Sequence, residues 1–444
     1  MIVILGGGPG GRMASIRLAS AGKEVTLIEH GGIGGQCLHV GCMPVCALND
    51  IARMIHSASS FSSAGLIDSL PSVNFPAIIR EMHTIQERIA GILDKETRGA
   101  GVEILYNKTG RLEGKEVFAG DERLDADAVI AATGSRPLIP EAEGLHLAGV
   151  YNPHTIWSIP DLPEELVIVG GGVMAAEFAY IFSRFGSRVT VVSRSGFLKN
   201  VDKHLRELAK KELDGVEIRE DCSFCSCSGT SCVESVQVKT GERSSGIETR
   251  ALLITAGLLP RSEMLKGVKK GPLGEVIVDN HMRTSVPGVY ACGDVTGPPY
   301  LTPVARHQGI VAADNILGSD RTMDYRYIPQ SINLTNELAF CIGDTSNSAS
   351  VTLPGPAGPG SFWSVPSGST GLAKVMADGE TGRLTGVCSA GPGGGLIAGY
   401  LAFLMQRNFS VHEFEDFIEV HPSTDGVYGL AKYTSFLLNK HNER

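Results

Sequence analysis

The chain has 444 residues, of which 43% are hydrophobic and 20% charged, with 55 glycines and 22 prolines. That length divides into roughly three domains of about 100 to 200 residues each, and the composition excludes a disordered or low-complexity chain. Thirty-nine basic against 48 acidic residues leave a net charge of -9 with no basic run, which argues against a nucleic-acid surface and for small-molecule chemistry.

Met1 leads straight into Ile2-Val3-Ile4-Leu5 without a basic leader or cleavage signature. The longest apolar stretch, Ile397 to Met405, is broken by Gly399 and falls short of the ~20 residues that cross a bilayer. A cytoplasmic protein with no membrane partner is expected. Ten cysteines are too sparse for a secreted disulfide scaffold, so in a reducing compartment a close pair is expected to be catalytic or metal-binding.

Residues 2–5 read as a buried strand, Gly6-Gly7-Gly8-Pro9-Gly10-Gly11 as a turn, and Met13 to Ala19 as a helix. Gly6, Gly8 and Gly11 satisfy G-x-G-x-x-G, which permits a tight turn, backbone approach to a pyrophosphate and close packing of helix on strand. The phosphates would lie at the helix N-terminus, where free N–H groups favour negative charge. A second strand, residues 24–28, ends in Glu29, placed to accept hydrogen bonds from an adenosine ribose, with His30 next to it.

Cys37 and Cys42 follow, in Gly34-Gly35-Gln36-Cys37-Leu38-His39-Val40-Gly41-Cys42-Met43-Pro44. On a regular helix residues five apart are separated by ~7.5 Å along the axis, outside the ~4.4 to 6.8 Å between Cα atoms that a disulfide needs. A disulfide here requires an irregular turn, for which Gly41 supplies backbone freedom, and such a strained ring would be easily reduced. Half of a metal site, or two buried thiols, are alternatives on spacing alone.

Val129 to Ser135, containing Thr133 and Gly134, reads as the strand that closes this first unit. The pattern then recurs: Val167-Ile168-Val169 leads into Gly170-Gly171-Gly172-Val173-Met174-Ala175, a helix through Arg184 and a strand from Arg188 to Val192. Ser193 stands where Glu29 stands in the first copy, and Leu252 to Gly257 closes the second unit. Two dinucleotides are therefore expected. An NAD site normally ends its second strand in a carboxylate. Neutral Ser193, followed by Arg194 and Lys199, suits a 2′-phosphate, so NADPH is expected, with NADH as second choice.

Cys222, Cys225, Cys227 and Cys232 fall in an expected surface hairpin at a spacing that is not a standard zinc or cluster pattern, so no metal site is assigned. His154, His281 and His307 have no ligand-like spacing and read as structural or surface residues. Gly288 to Asp294 is a strand ending in an acid, which returns the chain to the first domain. From Tyr325 onward strands alternate with two late helices in a separate domain. The fold class is α/β: two Rossmann-like domains, 1–147 continued by 276–324 and 148–275, and a C-terminal α+β domain, 325–444.

Taken together, several motifs resemble the flavoprotein disulfide reductase family over nearly the whole chain. They are Gly35 to Pro44, similar to the family's GGTCLNVGCIP; the two glycine turns; Ala132-Thr133-Gly134-Ser135; Ala291-Cys292-Gly293-Asp294 with Leu301-Thr302-Pro303-Val304-Ala305; and His421-Pro422. The resemblance implies FAD in the first domain, with Gly6, Gly8, Pro9, Gly10, Gly11, Glu29, His30, Gly35, Gln36, Cys46, Thr133, Gly134, Asp294, Leu301 and Thr302 around it. It implies a nicotinamide nucleotide in the second, with Gly170, Gly172, Ala175, Glu177, Ser193, Arg194, Lys199 and Gly257. It further implies a homodimer, with electrons passing from nicotinamide to flavin to Cys42, and Cys37 exchanging with a disulfide or dithiol such as dihydrolipoamide. His421 of the partner subunit would be the acid/base partner of Cys37. Reduction of a metal ion or quinone, and service as a flavin electron-transfer subunit, are the competing readings.

Three departures from the family stand out. Its lysine two residues after the proline is Cys46, although the usual carboxylate partner remains as Glu177, which burial should push toward its neutral form. Cys46 follows Cys42 by four residues, so on a helix it would be a third thiol on the same face. The glutamate that orients the family's histidine is Gly426, with Asp425 one residue early, and the aromatic nicotinamide gate is Val173.

Overall fold

The computed structural model describes residues 1–355 and 360–442. Strand Ile2–Leu5 is buried along its whole length because it is the centre of a parallel five-stranded sheet. The order is Val289–Ala291, Ala128–Ala131, Ile2–Leu5, Val25–Glu29, Val102–Tyr106. A continuous apolar run is what a strand covered on both faces requires. One face carries helices Pro9–Ser20 and Thr302–Ile316, whose backbones touch: a Cβ on Gly309 would lie 2.2 Å from the carbonyl oxygen of Gly10. The other face, with Val3, Leu5, Val129 and Val289, packs on Leu112, Val117 and Ala119 of a small meander.

A second parallel sheet repeats the plan in the order Glu217–Arg219, Arg188–Val192, Glu165–Val169, Ala251–Ile254, Val150–Tyr151. Helix Val173–Phe185 buries Phe178, Tyr180, Ile181 and Phe182 against one side. The other side is covered by three antiparallel strands, Cys222–Ser228, Ser235–Thr240 and Arg243–Glu248. The cysteine-rich segment is therefore not simply a surface hairpin. A bulge between Phe224 and Ser226 resets the side-chain alternation. Cys222 and Cys227 thus both point into the core beside Val167, Val169 and Leu252, while Cys225 is exposed and Cys232 sits against Arg250 Nη1 at 3.3 Å.

Strands Ser135–Pro137 and Leu258–Pro260 pair antiparallel and join these two units. The C-terminal unit does not alternate strands and helices as expected. Its five strands form one antiparallel sheet, ordered Gln330–Asn333, Glu337–Ile342, Leu384–Gly391, Leu372–Asp378, Ser348–Pro354. Helices Gly394–Gln406 and Gly426–Asn442 follow the last of these strands in sequence. Ile397, Leu401, Val427 and Leu430 of these helices pack on Val375 and Val387 of one sheet face. The opposite face, through Leu338, Met376 and Cys388, joins the core that contains Phe178 and Phe182. No helix among the described residues is long and apolar enough to cross a membrane.

The turn between strands Gln330–Asn333 and Glu337–Ile342 is gripped from two other units. Asn333 donates its backbone N–H to Glu177 Oε1 at 2.9 Å, and Asn336 donates N–H and Nδ2 to the two oxygens of Glu212 at 3.1 and 2.6 Å. Leu334 O accepts from Arg53 Nε at 2.6 Å, and Thr335 donates to Tyr180 at 3.0 Å. Lys374 Nζ meets Asp202 Oδ2 at 2.6 Å nearby. Burial pushes Glu212 up to about 7, against the opposing effect of the Asn336 bonds. Its folded-state value lies above the ordinary 4.5 of a glutamate, so this carboxyl favours folding below the lower value and loses that contribution as pH rises to the upper one. Stability against urea should therefore carry a component that declines between pH 5 and 8 and is missing from Glu212→Ala. Asn336→Ala should cost about 1–3 kcal/mol at pH 8 and less at pH 5, where the carboxyl is neutral.

Candidate active site

Cys37 lies near the middle of a short helix, Gly35–His39, and Cys42 is the first residue of a long one, Cys42–Ser63. The break at Val40–Gly41 is the irregular turn that the spacing demanded. Its requirement for glycine is a close approach rather than an unusual φ: a Cβ on Gly41 would stand 3.0 Å from the carbonyl oxygen of Gln36. Cys42, across that turn, is the largest influence on Cys37 and, helped by the Thr302 hydroxyl and the Arg306 guanidinium against burial, lowers it to about 6. Cys42 is pushed up by Cys37 and by burial. Thr302 Oγ1 is 3.8 Å from Cys42 Sγ.

Cys46 is one turn below Cys42. Burial, followed by the charge of Glu177, pushes its thiol up to about 11. A thiol raised in this way is a weaker nucleophile at neutral pH than Cys37. Burial pushes Glu177 to about 7, opposed by the Asn333 bonds and reinforced by Cys42. With a thiol and not a cation at position 46, burial dominates this carboxyl.

The glycine turns show why each glycine is there. At Gly6, φ is +107° and a Cβ would strike Ala132 O at 2.3 Å; at Gly11 it would strike Gly6 O at 2.0 Å. Gly10 packs against Ala305, and Gly35, with φ +58°, against Gly8. A Cβ on Gly8 would meet no protein atom within 4 Å, and helix Pro9–Ser20 has no side-chain cap. The open space at Gly8 and the uncapped helix end leave room for the backbone approach of a pyrophosphate. Glu29 accepts the N–H groups of Gly7 at 2.5 Å and Gly31 at 2.7 Å, so it braces this turn. His30 is exposed and meets Thr109. The hydroxyl of Tyr300 is buried without a partner among the described residues, under the electrostatic influence of Asp294. An orphaned buried donor beside a carboxylate fits a polar ligand, and these residues together fit FAD.

The second turn is built alike. Gly170 has φ +145° and abuts Thr255, Gly172 again has no neighbour within 4 Å, and Ala175 is fully buried. Gly257 has φ +132°. Ser193 is buried beneath Gly171 and, unlike Arg194 and Lys199, presents no side chain outward. Among the described residues neither cation makes an ion pair. Glu220, which sequence reasoning missed, braces the same loop by accepting Phe197 N–H at 2.7 Å and is paired with Lys210 at 2.7 Å.

One histidine read from the sequence as structural or surface borders the candidate site. His154 Nε2 lies 2.6 Å from Gln36 Oε1. A carbonyl oxygen only accepts, so Nε2 carries the proton, and burial, aided by Arg261, lowers His154 to about 4 and keeps it neutral. Gln36 Nε2 donates to Ser135 O and Oγ, both at 2.9 Å, and Ser135 Oγ donates to Asp294 Oδ2 at 2.6 Å. Thr133 and Gly134 complete this wall, bonding to Arg261. The available signal was Gln36 itself, a long amide where the similar family motif has threonine. Leu301 caps helix Thr302–Ile316.

His421 Nδ1 meets Asp425 Oδ2 at 2.6 Å, so Asp425 takes the position left open by Gly426, which begins the last helix. His421 is 74% exposed, and among the described residues its side chain bonds to Asp425 and not to the cysteine pair of its own chain. In the reduced protein, iodoacetamide should modify Cys37 first, with a rate that rises through a midpoint near pH 6. Cys42→Ala should move that midpoint up toward the ~8.5 of an ordinary thiol; peptide mapping across pH checks both.

Residues 1–309 match the family described as pyridine nucleotide-disulphide oxidoreductase, and residues 359–431 match its dimerisation domain. The chain is 30% identical over 447 residues to a dihydrolipoyl dehydrogenase of Bacillus subtilis (strain 168), covering 95% of each. It is 31% identical over 409 residues to a mercuric reductase of Streptomyces lividans, covering 86% of this chain and 85% of that one. Its fold is similar to that of the HOCl-induced flavoprotein disulfide reductase RclA from Escherichia coli, with a TM-score of 0.85 at 23% identity over 97% of this chain and 99% of that chain. The matches run nearly the length of the chain, which belongs to the pyridine nucleotide-disulphide oxidoreductases, enzymes that use FAD and NAD(P)H to exchange electrons with disulfides.

Proposed function

We propose that the protein is a cytoplasmic, NADPH-preferring disulfide reductase that works as a homodimer, with Cys37 as exchange thiol and Cys42 as its internal partner. The observation that carries this reading is the meeting of Cys37 and Cys42 across the break between helices Gly35–His39 and Cys42–Ser63, with Thr302 Oγ1 3.8 Å from Cys42 Sγ. Residues 1–147 and 276–324 would hold FAD, 148–275 the nicotinamide nucleotide and 325–444 the dimer contacts. When bound, FAD supplies two-electron transfer between the nicotinamide and the dithiol. The Cys37 thiolate attacks one sulfur of the substrate disulfide and releases one thiolate. Cys42 then attacks the Cys37 sulfur, releases the second and closes the Cys37–Cys42 disulfide. His421 of the partner subunit, oriented by Asp425, would protonate the leaving thiolates.

Support for the dimer is an apolar surface on the C-terminal unit, where Leu396 is 82% exposed, Ile418 91% and Val420 76%, with Phe403 and Phe436 half exposed. An apolar patch of this kind marks an interface. Support for NADPH is the outward placement of Arg194 and Lys199 beside a neutral Ser193. Arg194→Glu should raise KM for NADPH about 10- to 100-fold, with little effect on NADH, as loss of a charge-assisted phosphate contact does. Wild-type preference for NADH would overturn this.

The shared site has its own test. Cys37→Ser and His421→Ala homodimers should each bind FAD and turn over at least ~100-fold more slowly than wild type. Mixed under conditions that exchange subunits, they should recover activity, since each heterodimer holds one intact site. NADPH oxidation with metal ions or quinones but without release of thiol from any disulfide would overturn the disulfide reading.

A further inference from the structure

We infer that Arg306 is a specificity residue that selects substrates whose disulfide is flanked by carboxylates. This rests on the reading of Cys37 as the exchange thiol. Helix Thr302–Ile316 begins against the cysteine pair, with the Thr302 hydroxyl 3.8 Å from Cys42 Sγ. Residues four apart on a helix share a face, so Arg306 is the next residue up that face, one turn from the sulfurs. It is exposed and makes no ion pair or hydrogen bond to another side chain among the described residues. Its charge nevertheless reaches Cys37.

An unpaired guanidinium at this place does two things. It favours the Cys37 thiolate, and it offers a planar fork of donors that matches a carboxylate in two parallel hydrogen bonds. The rest of the chain works against an anionic ligand, because its net charge is -9. That long-range repulsion is screened beyond ~8 Å at physiological salt, so local recognition falls to the cation beside the sulfur. A substrate carboxylate held at Arg306 places its nearby disulfide next to Cys37. The step is a thiol–disulfide exchange: Cys37 sulfur bonds to one substrate sulfur, the S–S bond breaks, and the leaving thiolate takes a proton. The second exchange by Cys42 frees the other thiol. Two electrons have then passed from the dithiol to the substrate, to be restored by the pyridine nucleotide.

Three small disulfides of similar size isolate the charge: dithiodiglycolate, bis(2-hydroxyethyl) disulfide and cystamine, which are anionic, neutral and cationic. With the FAD-loaded dimer and NADPH, kcat/KM for dithiodiglycolate should exceed that for the neutral compound by about tenfold, with cystamine the poorest. Added salt should compress the ratio. In Arg306→Gln the anionic-to-neutral ratio should fall to about one, while Arg306→Lys should keep much of it. Taking a ratio cancels any common effect on Cys37 reactivity, and turnover of the neutral disulfide reports a folded, loaded enzyme. Turnover without charge preference in the wild type, or an unchanged ratio in Arg306→Gln, overturns the inference alone. No turnover of any of the three overturns the disulfide reading and the inference with it.

Discussion

The structure depends on the turn Asn333-Leu334-Thr335-Asn336. Four consecutive residues are held by groups from two other units: Glu177, Tyr180 and Glu212 from the second, and Arg53, with Asn49, from the helix that begins at Cys42. Each bond is modest by itself. Their effect is geometric, because the helix carrying Cys42 and Cys46, the helix carrying Glu177 and the first strands of the C-terminal sheet can take only one mutual arrangement while the turn is satisfied. Around it Leu48, Ala52, Phe178, Phe182, Leu334 and Leu338 form one apolar cluster. The buried acids depend on this arrangement as well. Asn333 and Asn336 are their chief donors, and among the described residues no lysine pairs with Glu177.

The two glycine turns show the same solution used twice with different consequences. In both, one glycine has no protein neighbour and another touches the closing strand. The residue ending the second strand lies under the turn in both, and there they diverge. Glu29 fills its place with a carboxylate that accepts two backbone N–H groups, whereas Ser193 fills its own with a small buried hydroxyl. In the second turn a carboxylate brace comes instead from Glu220, which accepts the Phe197 N–H, while Arg194 and Lys199 stand exposed.

Much of this was legible in the residues themselves. Continuous apolar runs such as Ile2–Leu5, ending in glycines, announce parallel strands buried on both faces, and the five-residue spacing of Cys37 and Cys42 announces a broken helix. What was not legible depends on partners far apart in the chain. Lys374 and Asp202, Asn336 and Glu212, and His154 and Gln36 are each more than a hundred residues apart, and no local pattern marks one as the partner of the other. His154 looked idle because a single imidazole in a loop carries no spacing signal. The buried pair Cys222 and Cys227 was misread because a bulge changes the parity of a strand without leaving a distinctive residue.

The first parallel sheet has a consequence for synthesis. Strand Val289–Ala291 pairs with Ala128–Ala131, yet the two leave the ribosome with roughly 160 residues between them, an interval of about 8 to 30 seconds at ordinary rates of translation. Throughout that interval the whole second unit is being made, and Ala128–Ala131 is an unpaired edge of a largely apolar sheet. Such an edge invites pairing with another chain. The nascent protein is therefore most open to aggregation in the middle of its synthesis, and slow codons or scarce chaperones over residues 132–288 would cost more soluble protein than the same delay elsewhere.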